Sequence, residues 1–378
     1  QQIVAQHPLV TSRFTVNQSK PNTNLMHDLH SVEAKMDLTN REGLMYIVSY
    51  PNSPGSVRSQ LSRNLLPRIV GVNTPDGVAG IVFTKNVEPQ FEINTRYGRG
   101  IGRARSTNYY QYTLWTNKER SDLRGIYNRD SWKSPADMWY NDPALKAKNN
   151  SYYGHNLIKN PAMSVEDSIR AWYQWPHFKT LVPDPTSSDW NWGGQTPMYI
   201  FRAAEVYLLM AEAAYWKNDL ATAAEMLNVV RARANAQPHT AAEVNIGTIV
   251  DERARELYFE ENRHIELTRI AYTFAKTGKS CEYFGRTYSL NNISGPGGTG
   301  TNVKQEGINF YYDWVMQKNN FYNKGVKHRW AEYKMSVHHI LWPVPAAAIN
   351  ANTKGVINQN IGYPGAEKNI APLMAIQE

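Results

Sequence analysis

At 378 residues, 42% of them hydrophobic, the chain can bury a large core and is too long for a single small module. A mean hydropathy of −0.56, with no charge-free apolar run of bilayer length, excludes a membrane-spanning helix. The formal charge of +8 comes from 41 basic residues interleaved with 33 acidic ones, without the motif of any nucleic-acid module, so nucleic acid is set aside for a solvated basic surface.

From Gln1 to about Asn40 the pattern is short and mixed, broken by Pro8, Pro21 and several asparagines. Met45 to Val48 predicts a short strand and Asn52-Ser-Pro-Gly55 a turn. Brief apolar runs such as Gly80-Ile-Val-Phe83 follow, and no long helix is predicted before Ser106. Irregular backbone on this scale inside a compact protein points to function. Its most conspicuous loop is Tyr97-Gly98-Arg99-Gly100-Ile101-Gly102-Arg103. The G-x-G-x-G spacing lacks the preceding long strand and the G-x-G-x-x-G pattern of a dinucleotide site. With Arg96 and Arg105 close by, the loop reads either as an anion site, including one for the carboxylate of an acidic sugar, or as a flexible turn with solvated arginines.

Thr107 to Trp115 predicts a short helix with Tyr110 and Leu114 turned inward. Between Tyr109 and Trp192 aromatic residues crowd together. Flat rings with polar edges stack on the apolar faces of sugars, which suits carbohydrate capture, although many of these rings must also serve as core. Trp132, Trp139 and Trp190, flanked by turn and polar residues, are the ligand candidates.

Thr196 and Pro197 predict a helix start, as N-cap and first helical residue. The apolar run Tyr199 to Trp216 carries charge only at Arg202, Glu205 and Glu212, a 3-4-3 rhythm that places all three on one helical stripe. Buried charges need partners. A second helix follows the link Lys217-Asn218-Asp219, with Leu220, Ala223, Ala224, Leu227 and Val230 on one face, which makes a tetratricopeptide-like hairpin closing where Ala211 and Ala223 let the backbones approach. A third helix, opened by a Thr240/Glu243 capping box, carries Glu252, Arg253, Glu256 and Glu260. A last one, with Arg263, Leu267 and Ile270 on one side, ends near Gly278. Arg253 and Arg263 are the expected partners of Glu205 and Glu212 in an ionic network that also includes Arg202, Glu256 and Glu260.

Cys281, the single cysteine, rules out an internal disulfide or a cysteine-rich metal site, and an inert thiol is the commoner state. Beyond it, Ser294-Gly-Pro-Gly-Gly-Thr-Gly-Thr301 lacks the Gly-Lys-Ser or Gly-Lys-Thr of a phosphate loop and reads as a surface loop. Tyr311 to Met316 starts a helix, and His338-His339 falls in a predicted extended segment where neighbours point apart. Glu261-Asn-Arg-His264 has di-iron spacing, but the second copy such a site needs is missing, so neither metal nor cofactor is expected.

The runs Arg202-Ala-Ala-Glu205-Val-Tyr-Leu-Leu-Met-Ala-Glu212-Ala, Asn228-Val-Val-Arg231-Ala-Arg233-Ala and Glu252-Arg253-Ala-Arg-Glu256-Leu-Tyr-Phe-Glu260-Glu-Asn-Arg263-His-Ile-Glu-Leu267-Thr-Arg269 resemble the C-terminal signature of the SusD/RagB family. Leu341-Trp-Pro-Val-Pro345 and Gln359-Asn-Ile-Gly-Tyr363 are similar to its closing motifs, and Glu266 stands where the family commonly has Asp. Gly98 to Arg124 resembles the family's loop, helix and Asp-x-Arg element, which brings Tyr97, Arg103 and Tyr109 into the expected ligand surface beside Arg99. The family comprises Bacteroidetes surface lipoproteins that capture nutrients, mostly glycans, for a TonB-dependent transporter. The resemblance thus implies a SusC-like transporter partner, an outer-membrane, cell-surface location, and a lipidated cysteine and helical region preceding Gln1. The chain then reads as a processed or truncated C-terminal portion.

The expected architecture is mainly α. Tetratricopeptide-like hairpins of an alpha-alpha superhelix (196–278) join an irregular, aromatic-rich ligand-binding part with few short strands (1–195) and a loop-rich C-terminal segment (279–378). Its expected function is non-catalytic capture of an oligosaccharide or polysaccharide, with a peptide-binding member of the family and a glycan-active enzyme as the alternatives.

Overall fold

A computed structural model describes the chain apart from residues 1, 20–22, 51–52, 57, 84–86, 129–130, 183–192, 296–307, 329–330 and 372–378. Trp190 and most of the glycine-rich run after Ser294 therefore lie outside the described residues. The fold is mainly helical, in two compact units, Gln1–Glu260 and Glu261–Glu378, so the division falls inside the predicted helical block.

In the first unit, strand β1 (Gly43–Ile47) pairs antiparallel with β2 (Met198–Arg202), matching Gly43 with Arg202 and Ile47 with Met198. This pairing corrects the expected helix start at Thr196. Tyr199-Ile200-Phe201 suits a pleated ladder, and the chain turns helical only after the Ala203 amide donates to the Glu42 carbonyl at 2.8 Å. Helix α1 (Ala203–Trp216) and helix α2 (Leu220–Arg233) form the predicted hairpin, with Ala211, Ala223, Leu227 and Val230 inaccessible to solvent. Asp219, bonded to the Thr222 amide at 3.0 Å, caps α2. The Thr240/Glu243 box closes a separate 3-10 turn, Ala241–Glu243, and Asn245 caps α3 (Ile246–Glu256). Because α3 stops at Glu256 and Phe259 turns left-handed (φ 58°), Glu260 projects from a loop instead of continuing the helical face.

Among the described residues the remainder of this unit is built from short helices joined by turns, and before Ser106 none is longer than six residues, as the absence of long periodic stretches there predicts. In the second unit α4 (Arg263–Thr277) ends at Gly278 in the left-handed region (φ 65°) and packs on α5 (Phe310–Lys318) through Phe274 and Phe310, ring centroids 5.4 Å apart. The expected extended course at His338-His339 is a 3-10 turn, Val337–Ile340, because Ser336 caps it and His339 Nδ1 accepts the Ser336 amide at 3.1 Å.

Candidate functional site

A water-excluded ionic cluster braces the first unit. The Arg202 guanidinium donates to Glu42 at 2.9 Å, to the Glu256 carbonyl at 2.7 Å, and to the Glu256 and Glu260 carboxylates. Arg233 joins Glu42 to Glu256. Arg124 donates to Asp122 at 2.6 Å and Glu256 at 2.8 Å and forms an ion pair with Glu252 at 2.8 Å, while Arg231 ties Glu252 at 2.6 Å to Glu119 at 2.8 Å. Burial alone would raise the Glu252 and Glu256 carboxyls, but the surrounding arginines hold both well below the usual range. Arg253 faces Glu205 at 3.5 Å, and the buried Glu212 accepts the Trp216 indole at 2.9 Å. Arg263, in the second unit, pairs with Glu261 at 3.2 Å.

The Gly98–Arg103 loop is pinned rather than flexible. Its Ile101 and Gly102 amides donate to the Arg63 and Leu66 carbonyls at 2.8 and 3.1 Å, and Arg170 donates to the Ile101 carbonyl at 2.8 Å. A Cβ on Gly100 would stand 2.0 Å from the Leu66 carbonyl oxygen, so these glycines serve close backbone packing. This replaces the flexible-turn reading, and it also disperses the predicted site. Tyr97 is buried in a core cluster with Phe83, Ile93 and Met138, because its helix turns the ring inward. Arg99 lies over the Phe83 ring, 4.9 Å from its centroid, while Arg103 is exposed. Tyr109 is half-buried, its hydroxyl donating to the Asp251 carboxylate. Trp132 is wholly buried: its indole donates to the Arg124 carbonyl at 2.9 Å and its ring packs on Tyr110, His177 and Tyr258. It is a core residue, so its assignment to the ligand surface is corrected, as is that of Tyr97.

Trp139 is a half-exposed ring with further rings beside it. The Phe91 centroid lies 6.2 Å from it, and Tyr153 lies 5.7 Å beyond Phe91 at 82°. The ridge Trp139, Phe91, Tyr153 is half-buried throughout, each ring presenting part of its surface to water. Sequence and backbone explain its rigidity. Pro89 opens the 3-10 turn carrying Phe91, Trp139 makes a β-bridge with the exposed Asn156, and Gly154 (φ 76°) leaves room where a Cβ would come 2.9 Å from the Phe91 ring. The polar rim is equally fixed. Glu88 accepts the Tyr153 hydroxyl at 2.8 Å, Lys146 at 2.6 Å and Gln90 at 2.6 Å, and Lys146 with Tyr153 lowers its pKa. Burial, followed by that same carboxylate, raises the Tyr153 phenol and keeps it a donor. Arg96, exposed on the short helix Asn94–Tyr97, reaches to 6.0 Å from the Trp139 ring centroid.

Such a surface can stack sugar rings and bond their hydroxyls at the edge. Phe91 escaped the sequence reading, although Glu88-Pro-Gln-Phe91 has the same turn-and-polar flanks that singled out Trp139. Burial pushes the Cys281 thiol up to about 11, so it is not poised as a nucleophile. Among the described residues no group of three His, Cys, Asp or Glu side chains is arranged to hold a metal ion.

Comparison with known proteins gives one family. The SusD family model matches residues 81–363. No curated protein matches the chain. Among solved structures, it is similar to surface glycan-binding protein A from Bacteroides thetaiotaomicron at 18% identity, covering 72% of this chain and 51% of that one, with a TM-score of 0.40. The same protein in complex with laminarihexaose gives 18% identity, the same coverage and a TM-score of 0.37. A SusD superfamily protein from Bacteroides fragilis NCTC 9343 gives 16% identity over 91% of this chain and 56% of that one, with a TM-score of 0.39. The chain spans about half the length of the solved structures it matches.

Proposed function

The chain belongs to the SusD family, and on that premise we propose that it is a glycan-binding protein of nutrient capture, holding oligosaccharide on the Trp139, Phe91, Tyr153 ridge without altering it. The ridge carries the reading, for three adjoining half-exposed rings with a fixed polar rim form a surface for successive sugar units. Affinity comes from stacking on the rings, and orientation from the Asn156 amide and the Glu88, Gln90 and Lys146 edge. In the same proposal the protein is a lipoprotein at the outer-membrane surface and passes its ligand to a SusC-like TonB-dependent transporter.

Isothermal titration against a panel of oligosaccharides tests the binding surface. Trp139→Ala should weaken the best ligand about tenfold, a loss of stacking worth about 1–1.5 kcal/mol, whereas Tyr127→Ala, at an exposed ring away from the ridge, should leave affinity unchanged. Equal affinity of the Trp139→Ala protein and the parent would remove the ridge from consideration. For the transporter, the tagged protein should retain a TonB-dependent barrel through gentle detergent extraction of its native envelope, and recovery of the protein alone counts against the partnership.

A further inference from the structure

We infer that the glycan is anionic, carrying a carboxylate or a sulfate that pairs with Arg96; this rests on the ridge being the glycan surface. Charge around the rings is settled unevenly. Lys146, 5.6 Å from the Tyr153 centroid, is neutralised by Glu88 at 2.6 Å. Nearby, Arg68 pairs with Asp167 at 3.2 Å and Arg170 with Glu166 at 3.0 Å. Arg96 is different. Its guanidinium meets only the Gln90 and Pro89 carbonyls, each at 3.5 Å, and among the described residues no carboxylate lies within ion-pair distance of it. Both contacts are at the far limit of a hydrogen bond, and 6.0 Å to the Trp139 centroid is the outer reach of a cation–π contact. The closest acid in sequence, Glu92, turns back to accept the Asn94 amide at 2.6 Å.

An exposed guanidinium thus stands uncompensated at one end of an aromatic ridge whose other end is electrically settled. A sugar ring stacked on Trp139 would bring its ring substituents to that guanidinium. A planar fork of donors fits the two oxygens of a carboxylate or sulfate, whereas a hydroxyl uses one donor and leaves the charge to water. A neutral glycan therefore gains stacking only, and an acidic one gains stacking and a charge-assisted pair.

Titration with an oligogalacturonate, a sulfated galactan oligosaccharide and a neutral galactan of equal length decides this, and the two acidic arms separate carboxylate from sulfate. At least one acidic ligand should bind about tenfold tighter than the neutral one, and Arg96→Gln should abolish that advantage while leaving neutral binding alone. The exposed Arg120, seated over Tyr127, supplies the control for the general field of a basic protein, and Arg120→Gln should change nothing. The proposal is overturned if Arg96→Gln keeps the full acidic preference, if Arg120→Gln loses as much, or if neutral and acidic ligands bind alike. Should Trp139→Ala leave every affinity untouched, the ridge itself is wrong. Should Trp139→Ala weaken binding and Arg96→Gln not, only the charge assignment fails.

Discussion

Replacing Glu256 with Gln should destabilise the first unit by about 3 kcal/mol, the lower end of the range for breaking a buried ion pair. Its carboxylate serves Arg202, Arg233 and Arg124, all essentially inaccessible to solvent, and the amide keeps the shape while removing the charge. The loss stays at that lower end because each guanidinium retains another acid: Arg202 keeps Glu42 at 2.9 Å, Arg233 keeps Glu42 at 2.6 Å, and Arg124 keeps Asp122 at 2.6 Å and Glu252 at 2.8 Å. Thermal unfolding followed by near-ultraviolet circular dichroism reads the change, and about 3 kcal/mol lowers Tm by roughly 6–12 °C in a unit of this size. The comparison is Lys118→Gln, which breaks a pair with Glu243 whose side chains are 34% and 45% exposed and should change stability by about 0–1 kcal/mol. The pH dependence has a definite sign. Since the arginines depress the Glu256 carboxyl against its burial, its contribution is complete above about pH 4.3 and is lost as pH falls through the lower folded value. Glu256→Gln should therefore flatten the acid limb. A Tm shift no larger than that of Lys118→Gln would refute the view that the cluster braces the fold.

Three further outcomes follow from the same geometry. Gly100→Ala should cost about 1–3 kcal/mol in a urea melt, because the new methyl would stand 2.0 Å from the Leu66 carbonyl oxygen, which is backbone and has little room to move. His30 is held well below its usual pKa, first by burial and then by Lys179 and Arg202, with Lys35 and His177 adding to them and Glu260 facing it at 3.6 Å. The unfolded chain then binds the extra proton, so stability should be full above about pH 6.5 and decline as pH falls, and the decline should shrink in His30→Gln; a urea midpoint that rises on acidification would contradict this. Trp132→Ala should cost about 3–5 kcal/mol by calorimetry yet leave the glycan affinity of the folded protein unchanged.

Much of the helical part was legible because its signals are local. Asp219 before α2 and Gly278 after α4 act within one turn of chain, and the alanine seam of the α1–α2 hairpin shows directly as period, whereas the cap of α3 was read at Thr240 and stands at Asn245. The start of α1 was not legible for the opposite reason. Thr196-Pro197 is a sound local cap, but Met198–Arg202 meets a strand more than 150 residues earlier, and that partner decides its conformation. Once Arg202 ends a strand, the stripe it was to share with Glu205 and Glu212 dissolves. Its guanidinium enters the cluster from the sheet instead, and Glu42, which no periodicity marks, becomes its partner.

The candidate site shows the same division more sharply. Trp132 and Trp139 have flanks of similar character, Asp130-Ser-Trp-Lys133 and Asp137-Met-Trp-Tyr140, yet one is core and the other half-exposed. What separates them is an acceptor. The Trp132 indole is buried because the Arg124 carbonyl waits for it at 2.9 Å, and Arg124 is itself fixed by Asp122, Glu252 and Glu256. The ionic cluster thereby chooses which ring becomes core, through a hydrogen bond that no window of sequence around Trp132 contains. Trp139 lies against a different, apolar cluster that includes Tyr97 and Met138 and keeps its outer surface. Stability and the proposed ligand capture then fall to separate sets of contacts within one unit. A change at Glu256 or Trp132 should consequently move the melting curve and spare affinity, while a change at Trp139 or Arg96 should do the reverse.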